Sequence, residues 1–274
     1  MDDLFLKPIK PFFAIENVRL ILENSFELLS NMLSESVDVI FADPPYFLSN
    51  DGITCRSGKM VSVNKAAWDK FITSEDSVEE KHQYNRQWIR LCKRILKPNG
   101  TIWISGTFHN IFSIGMALEQ EKFKIINNIT WQKTNPPPNL ACRCFTHSTE
   151  TIIWAKKNAK NNHHIFNYDL MKRENGGKQL KDVWTGSLTK PSEKLYGKHP
   201  TQKPEYLLER IIRASTKQGS IVLDPFCGSG TTGVAAIRNG CFFIGIDNEK
   251  DYLDIAKKRL LKECSSSFNE MTLF

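Results

Sequence analysis

Asp43-Pro44-Pro45-Tyr46 brings together a carboxylate, two prolines and an aromatic ring directly after an apolar run, Val37 to Ala42. Proline has no backbone N–H, so this stretch offers carbonyl acceptors without competing donors. That combination suits the exocyclic amino group of a base. Such a nitrogen is a weak nucleophile because its lone pair is delocalised into the ring. Two acceptors on its hydrogens, the Asp43 carboxylate and the Pro44 carbonyl, would pull it towards a tetrahedral geometry. Tyr46 would stack on the base, which must leave a duplex for this chemistry to reach it. A proline turn capped by aspartate explains Asp-Pro alone, but it accounts poorly for the whole tetrapeptide after a buried strand.

A second constellation lies near the other end, Asp224-Pro-Phe226-Cys-Gly228-Ser229-Gly230-Thr231-Thr232. A strand ending in Asp224, two closely spaced glycines and a following helix place bare backbone at the carboxyl end of a strand, where open α/β sheets bind ligands. Asp247 closes the next apolar run 23 positions after Asp224, close to the spacing at which an acid accepts from ribose hydroxyls. Gly-Ser-Gly by itself could be a tight turn and nothing more; the second acid argues for a ligand. No third glycine stands in the dinucleotide register and no Lys follows Gly230, so a nucleoside without a phosphate chain fits better than a dinucleotide or a triphosphate.

These residues need a scaffold of alternating strands and helices. The spacing of apolar residues predicts strands over Arg19 to Glu23, Val37 to Ala42, Thr101 to Ser105, Ile125 to Trp131, Ser220 to Leu223 and Cys241 to Ile246. It predicts helices over Phe26 to Leu33, from Glu79 to a stop at Lys97-Pro98-Asn99-Gly100, around Ile111 to Gln120, from Pro204 through Ile212, and over Tyr252 to Leu261. Trp131 and Trp154 read as core. Such alternation implies a mostly parallel sheet covered on both faces. Residues 135–200 show weak periodicity, a Pro136-Pro137-Pro138 run and many polar residues, and read as an inserted region within one domain spanning 1–274. Phe47 to Trp68 is a further long irregular stretch, of the kind that is usually functional.

The chain of 274 residues has 41% hydrophobic and 24% charged residues, which excludes wholesale disorder. Its net charge is +7, and residues 151–200 contribute +6 of that, ten Lys/Arg against four acids. The excess suits a polyanion. Charges in Met1 to Pro11 and the lack of any apolar run of about 18 residues lead us to expect a soluble cytoplasmic protein without a membrane span. The seven cysteines form no CxxC pair and read as reduced and structural, with no metal site. Cytosine C5 chemistry needs a nucleophilic Cys, normally after Pro, and no cysteine here follows one.

Asp43-Pro-Pro-Tyr46 and the Asp224 to Thr232 loop together resemble the two motifs of DNA methyltransferases that act on amino groups. The catalytic motif comes first and a basic region separates the two, as in the β group of adenine-N6 methyltransferases. Trp131-Gln-Lys-Thr-Asn-Pro-Pro-Pro-Asn139, Phe145-Thr-His-Ser-Thr-Glu150, Asp182-Val-Trp-Thr-Gly186 and His199-Pro-Thr-Gln-Lys-Pro204 extend the match. They look similar to the GATC-methylating enzymes of Dpn-type restriction-modification systems. The resemblance implies a Rossmann-like methyltransferase fold with a mostly parallel seven-stranded sheet. Circular permutation would start the chain at what is normally the third strand, with both termini on one edge. It also implies S-adenosylmethionine as cofactor, with Thr201 and Lys203 at its methionine end. Asn24 stands where an acid is usual and can accept from the cofactor's adenine amino group.

The implied partner is DNA, duplex and also single-stranded, contacted from 135–200 as the target-recognition region. Arg143 is the first candidate base reader, with Lys156, Lys172, Arg173 and Lys198 as further candidate contacts. A restriction endonuclease would share the site, and a homodimer is compatible. N4-cytosine methylation, usually with Ser in place of Asp43, remains open, as do RNA or protein-glutamine methylation and a non-catalytic DNA-binding module.

Overall fold

The computed structural model describes residues 1–46, 53–56, 59–62, 77–158, 160 and 163–271. The strands are β1 (Phe13–Ile15), β2 (Val18–Leu22), β3 (Val37–Ala42), β4 (Ile53–Arg56), β5 (Lys59–Ser62), β6 (Leu96–Gly106), β7 (Lys124–Lys133), β8 (Thr149–Lys156), β9 (Val183–Gly186), β10 (Ile221–Asp224) and β11 (Phe242–Asp247). The helices are α1 (Ser25–Asn31), α2 (Ser77–Ile95), α3 (Ile111–Gln120), α4 (Tyr168–Glu174), α5 (Glu205–Ser215), α6 (Thr231–Arg238) and α7 (Lys250–Met271). Apart from β4 and β5, which pair as a separate ribbon, the described strands form one sheet in the order β1-β2-β11-β10-β3-β6-β8-β7-β9. The long stretch from Phe47 to Trp68 otherwise lies outside the described residues.

β2, β11, β10, β3 and β6 run parallel, so their carboxyl ends share one edge. Such strands must be apolar on both faces, and alternate residues of β3 show it. Val37, Ile40 and Ala42 join a core closed by α1, α2 and α3, while Val39 and Phe41 join the opposite core under α5, α6 and α7. The first and last long strands, β2 and β11, are neighbours, as the permuted order implies.

Four departures from the sequence reading have physical causes. The sheet has nine strands, not seven, because two short strands were added at its edges. β1 folds back on β2 through the two-residue turn Glu16-Asn17, and β9 pairs with β7. β6 starts at Leu96 instead of Thr101. Val37 pairs with Leu96 and Val39 with Thr101, so Lys97 to Gly100 form a bulge where helix meets strand. The expected insertion at 135–200 is not one block, since β8 lies in the sheet between β6 and β7, with Ile152 to Lys156 all buried. Its Trp154 stacks on Trp103 of β6 with ring centroids 4.6 Å apart. Finally, Cys142 and Cys144 are exposed, whereas Cys92, Cys227 and Cys241 are buried as expected of structural thiols.

A strand in the sheet differs from an inserted loop in what truncation costs. Ile152 is fully buried against Trp103 and its neighbours in the α5 to α7 core. Ile152→Ala is expected to lower unfolding free energy by about 2–5 kcal/mol. Urea denaturation checks this, and a midpoint equal to wild type would return 149–156 to the insertion.

Candidate active site

Four adjacent parallel strands deliver polar residues to one edge of the sheet. β2 ends before Asn24, β11 at Asp247, β10 at Asp224 and β3 before Asp43. A cavity of about 570 Å³ runs along these strand ends, within the usual range for a small-molecule site. Its lining includes Asn24, Ser25, Phe26, Asp43, Pro45, His199, Thr201, Lys203, Asp224, Phe226, Gly228, Ser229, Thr231, Thr232, Asp247, Asn248 and Tyr252.

At the β2 and β11 end, Asn24 caps α1, its Oδ1 accepting from the Phe26 N–H at 2.9 Å. Asp247 accepts from the Gly228 N–H at 2.7 Å and the Glu249 N–H at 2.9 Å. Burial pushes its carboxyl up to about 6. Asp224 accepts from Phe226 N–H at 3.0 Å and from the Thr232 hydroxyl at 2.5 Å, and burial pushes it up to about 7. Phe226 meets Trp88 edge-on, with centroids 5.4 Å apart, which fixes the wall of the cavity. The glycine loop is held from behind by Arg259, 5% exposed. It donates to the Ser229 carbonyl at 2.8 Å and the Thr231 hydroxyl at 2.9 Å, and pairs with Glu205 at 2.8 Å.

At the β3 end the Asp43 carboxylate sits in a dense polar cluster. Tyr46 and Ser105 hydroxyls donate to its Oδ1, and the Lys203 ammonium lies 2.5 Å from Oδ2. Lys203 also donates to the Tyr46 hydroxyl at 2.8 Å and faces Glu150 at 3.6 Å. Burial alone would lower the Lys203 pKa, but Asp43 and Glu150 outweigh it and hold it above its ordinary value. Burial, reinforced by the same two carboxylates, drives the Tyr46 phenol well above its ordinary value, so it stays a donor. Burial also lowers His199 to about 4, leaving a neutral imidazole at the cavity wall, edge-on to Tyr252 with centroids 4.3 Å apart.

The structure therefore brings Asn24, Asp43, Pro45, Thr201, Lys203, Asp224, Phe226, Gly228, Ser229, Thr231, Thr232 and Asp247 to one cavity. Four residues differ from expectation, and the first is Gly230, which packs against Ala256 of α7 and does not line the cavity. Pro44 is buried, and Tyr46 is 5% exposed with its hydroxyl in the cluster, so no ring face is presented for stacking. Lys203 reaches Asp43 and Glu150 as well as the cavity. Ser105, Glu150, His199 and Tyr252 were missed as site residues. Ser105 had a signal, a polar residue closing an apolar strand beside β3; Glu150 lay in a matched segment but had no assigned role.

The candidate DNA contacts divide. Arg143 is exposed on the loop joining β7 to β8, which emerges at the Asp43 end of the sheet, and Lys198 is exposed beside His199. Lys156 is 8% exposed at the other end of β8, where it pairs with Thr101, and is no surface contact. It was named as a contact because it falls in the basic stretch of the expected recognition region, although Trp154 beside it reads as core. Lys172 and Arg173 are exposed on α4, but Asn167 ties that helix to the carbonyls of Arg213 in the last turn of α5 and of Thr216 just after it, at the far end of α5. Lys203 lies before the start of this helix of 11 residues, whose length is roughly 16 Å. The structure does not bring these two to the cavity.

Comparison with known proteins agrees with this geometry. The N6/N4 methyltransferase family, described as DNA methylase, matches residues 37–258. The chain is 66% identical over 253 residues to Type II methyltransferase M2.LlaDCHI of Lactococcus lactis subsp. cremoris, covering 92% of this chain and 93% of that one. It is also 66% identical over 254 residues to Type II methyltransferase M2.DpnII of Streptococcus pneumoniae, covering 93% of each. Among solved structures, the M1.HpyAVI–SAM complex is similar at 30% identity and a TM-score of 0.66, covering 89% of this chain and 98% of that one.

Two glycines of the loop need left-handed backbone, Gly228 at φ 50° and Gly230 at φ 76°. Only Gly228 lines the cavity. A Cβ at Gly230 would point at Ala256 of α7, 2.8 Å from its Cβ. Gly230→Arg should therefore push α7 away and unfold the chain at lower temperature, without reaching into the cavity. A thermal melt that shows wild-type stability would contradict this placement.

Proposed function

The chain belongs to the N6/N4 DNA methylase family, and on that premise we propose that it methylates N6 of adenine within GATC for a restriction-modification system. The observation that carries the reading is the cavity running from the Asp247 acid to the Asp43 cluster. S-adenosylmethionine is the cofactor, and when bound it supplies an electrophilic methyl group on a sulfonium. The residues present fit it. Asp247 is a half-buried carboxylate at the end of β11 suited to ribose hydroxyls, and Asn24, Phe26 and Phe226 suit a base. Gly228 leaves room where a Cβ would meet the His199 Nε2 at 2.9 Å. Thr201 and Lys203 lie towards β3, where a carboxylate-bearing tail would end. A neutral His199 adds no positive charge against a cationic cofactor.

Asp43 accepts hydrogens of the target amine and takes the proton that the nitrogen sheds as it gains its methyl. Ser105 and Tyr46 hold the carboxylate in place, so catalysis is chiefly positioning and electrostatic support. Aspartate at position 43 supports adenine over cytosine. The 66% identity to M2.DpnII supports the Dpn-type site, and an endonuclease of the same specificity would be the functional partner. Arg143, on the loop that leaves the Asp43 end of the sheet, and Lys198, next to His199 in the chain, are the DNA contacts this reading retains, and residues 134–148 and 157–200 form the recognition region around the β8 scaffold.

Two outcomes follow. Asp247 serves as an acceptor while ionised, and its pKa stands at about 6, so affinity for S-adenosylmethionine should be full above that pH and fall as pH drops through it. Asp247→Asn should bind more weakly at neutral pH and lose that step; calorimetry across the range measures both, and a flat wild-type profile would refute the assignment. Incubation of unmodified plasmid with the enzyme and cofactor, followed by single-molecule sequencing, should place N6-methyladenine at GATC. Methylation of a different adenine site would remove the sequence assignment alone, and N4-methylcytosine would remove the chemistry as well.

A further inference from the structure

Asp43 cannot serve two masters at full strength. Its Oδ1 accepts from two hydroxyls and its Oδ2 is 2.5 Å from a buried ammonium, an arrangement that blunts the carboxylate as an acceptor for anything else. A carboxylate that must take up an amine's hydrogens needs that ammonium drawn back. Water cannot receive it, since Lys203 is only 6% exposed, and an unpaired cation there would be costly.

Glu150 offers the alternative. It is 12% exposed, sits at the site end of β8, and its Oε2 already lies 3.6 Å from the Lys203 ammonium and 3.5 Å from the Tyr46 hydroxyl. Its other oxygen, Oε1, is fixed by Lys133 at 2.7 Å, which leaves Oε2 aimed into the cluster. Lys203 could close on it with a shift of roughly 1 Å to reach hydrogen-bond distance. Two carboxylates and two ammoniums share the cluster, so the move changes no net charge.

We propose that Glu150 is a positioning residue for methyl transfer, receiving the Lys203 ammonium from Asp43 when Asp43 engages the target amine. The proposal rests on the methyltransferase reading above and adds to it a residue which that reading does not use. Glu150 does not line the cavity and acts through Lys203. Its contribution is to the rate of transfer and not to the affinity for cofactor.

The test is single-turnover methyl transfer to a GATC duplex by wild type, Glu150→Gln and Glu150→Asp, with cofactor affinity measured by calorimetry. Glu150→Gln keeps shape and hydrogen bonding but loses the charge, and should slow transfer by about tenfold or more while affinity stays within about twofold. Glu150→Asp keeps the charge on a shorter arm and should transfer faster than Glu150→Gln. A merely structural role predicts the reverse order, because Gln preserves packing better. If Glu150→Gln folds poorly with Lys133 unpaired, Glu150→Gln with Lys133→Gln gives the same reading. Wild-type transfer by folded Glu150→Gln, or Gln faster than Asp, overturns the proposal. Wild-type enzyme that methylates no DNA overturns the methyltransferase reading itself, which separates the two failures.

Discussion

A buried ammonium cannot be left without partners, and the Lys203 side chain is almost fully enclosed. Its partners come from distant parts of the chain, Asp43 after β3 and Glu150 at the start of β8, and it reaches them from the segment just before α5. That requirement fixes three chain segments at one sheet edge. Strand burial does the coarse placement: β3 must lie between β10 and β6 because it is apolar on both faces. The ion pair then sets where the residues beyond the strand end turn, and Tyr46 is drawn into the same cluster with its phenol kept protonated. An apolar isostere of Lys203 would pack at lower cost, so the retained charge points to chemistry at Asp43 more than to stability.

The cofactor end is fixed in a different way. Its two acids, Asp224 and Asp247, accept backbone N–H groups from the turns they face, and the glycine loop adopts left-handed backbone that few other residues would hold. Arg259 closes the arrangement from α7, joining the Ser229 carbonyl to Glu205 at the start of α5. α5 also follows Lys203 directly. One helix therefore abuts both halves of the cavity, and the distance between the glycine loop and the Asp43 cluster is held by packing before any ligand arrives, which reduces the ordering cost of binding.

Much of this was legible in the sequence because it rests on patterns with a physical period. The apolar run at β3 and the stripe Leu207, Leu208, Ile211 and Ile212 on α5 announce burial on two faces and on one, and all of these α5 positions are fully buried. Asp43, Asp224, Gly228 and Asp247 could be placed because each ends or follows such a run. What could not be read depended on partners distant in the chain. Trp154 alone in β8 read as core, and with polar Thr149, Glu150 and Thr151 at its start the strand stayed inside the expected recognition region, which made Lys156 a supposed surface contact. The inward turn of Tyr46 follows from Lys203, Ser105 and Glu150 converging on it, and no local pattern near position 46 carries that information.

The position of β8 also bears on how recognition and chemistry are joined. Because β8 runs antiparallel to both neighbours, its connection from β7 emerges at the Asp43 end of the sheet, carrying Arg143. The two stems of that loop are closed by the Lys133 to Glu150 ion pair, and Glu150 in turn faces Lys203 and Tyr46. A loop attached to a flexible linker could reach DNA without any bearing on the carboxylate that acts on the target. Here the residue that anchors the loop also belongs to the Asp43 cluster, so a shift of the loop carrying Arg143 would be felt at the partners of Asp43 through Glu150.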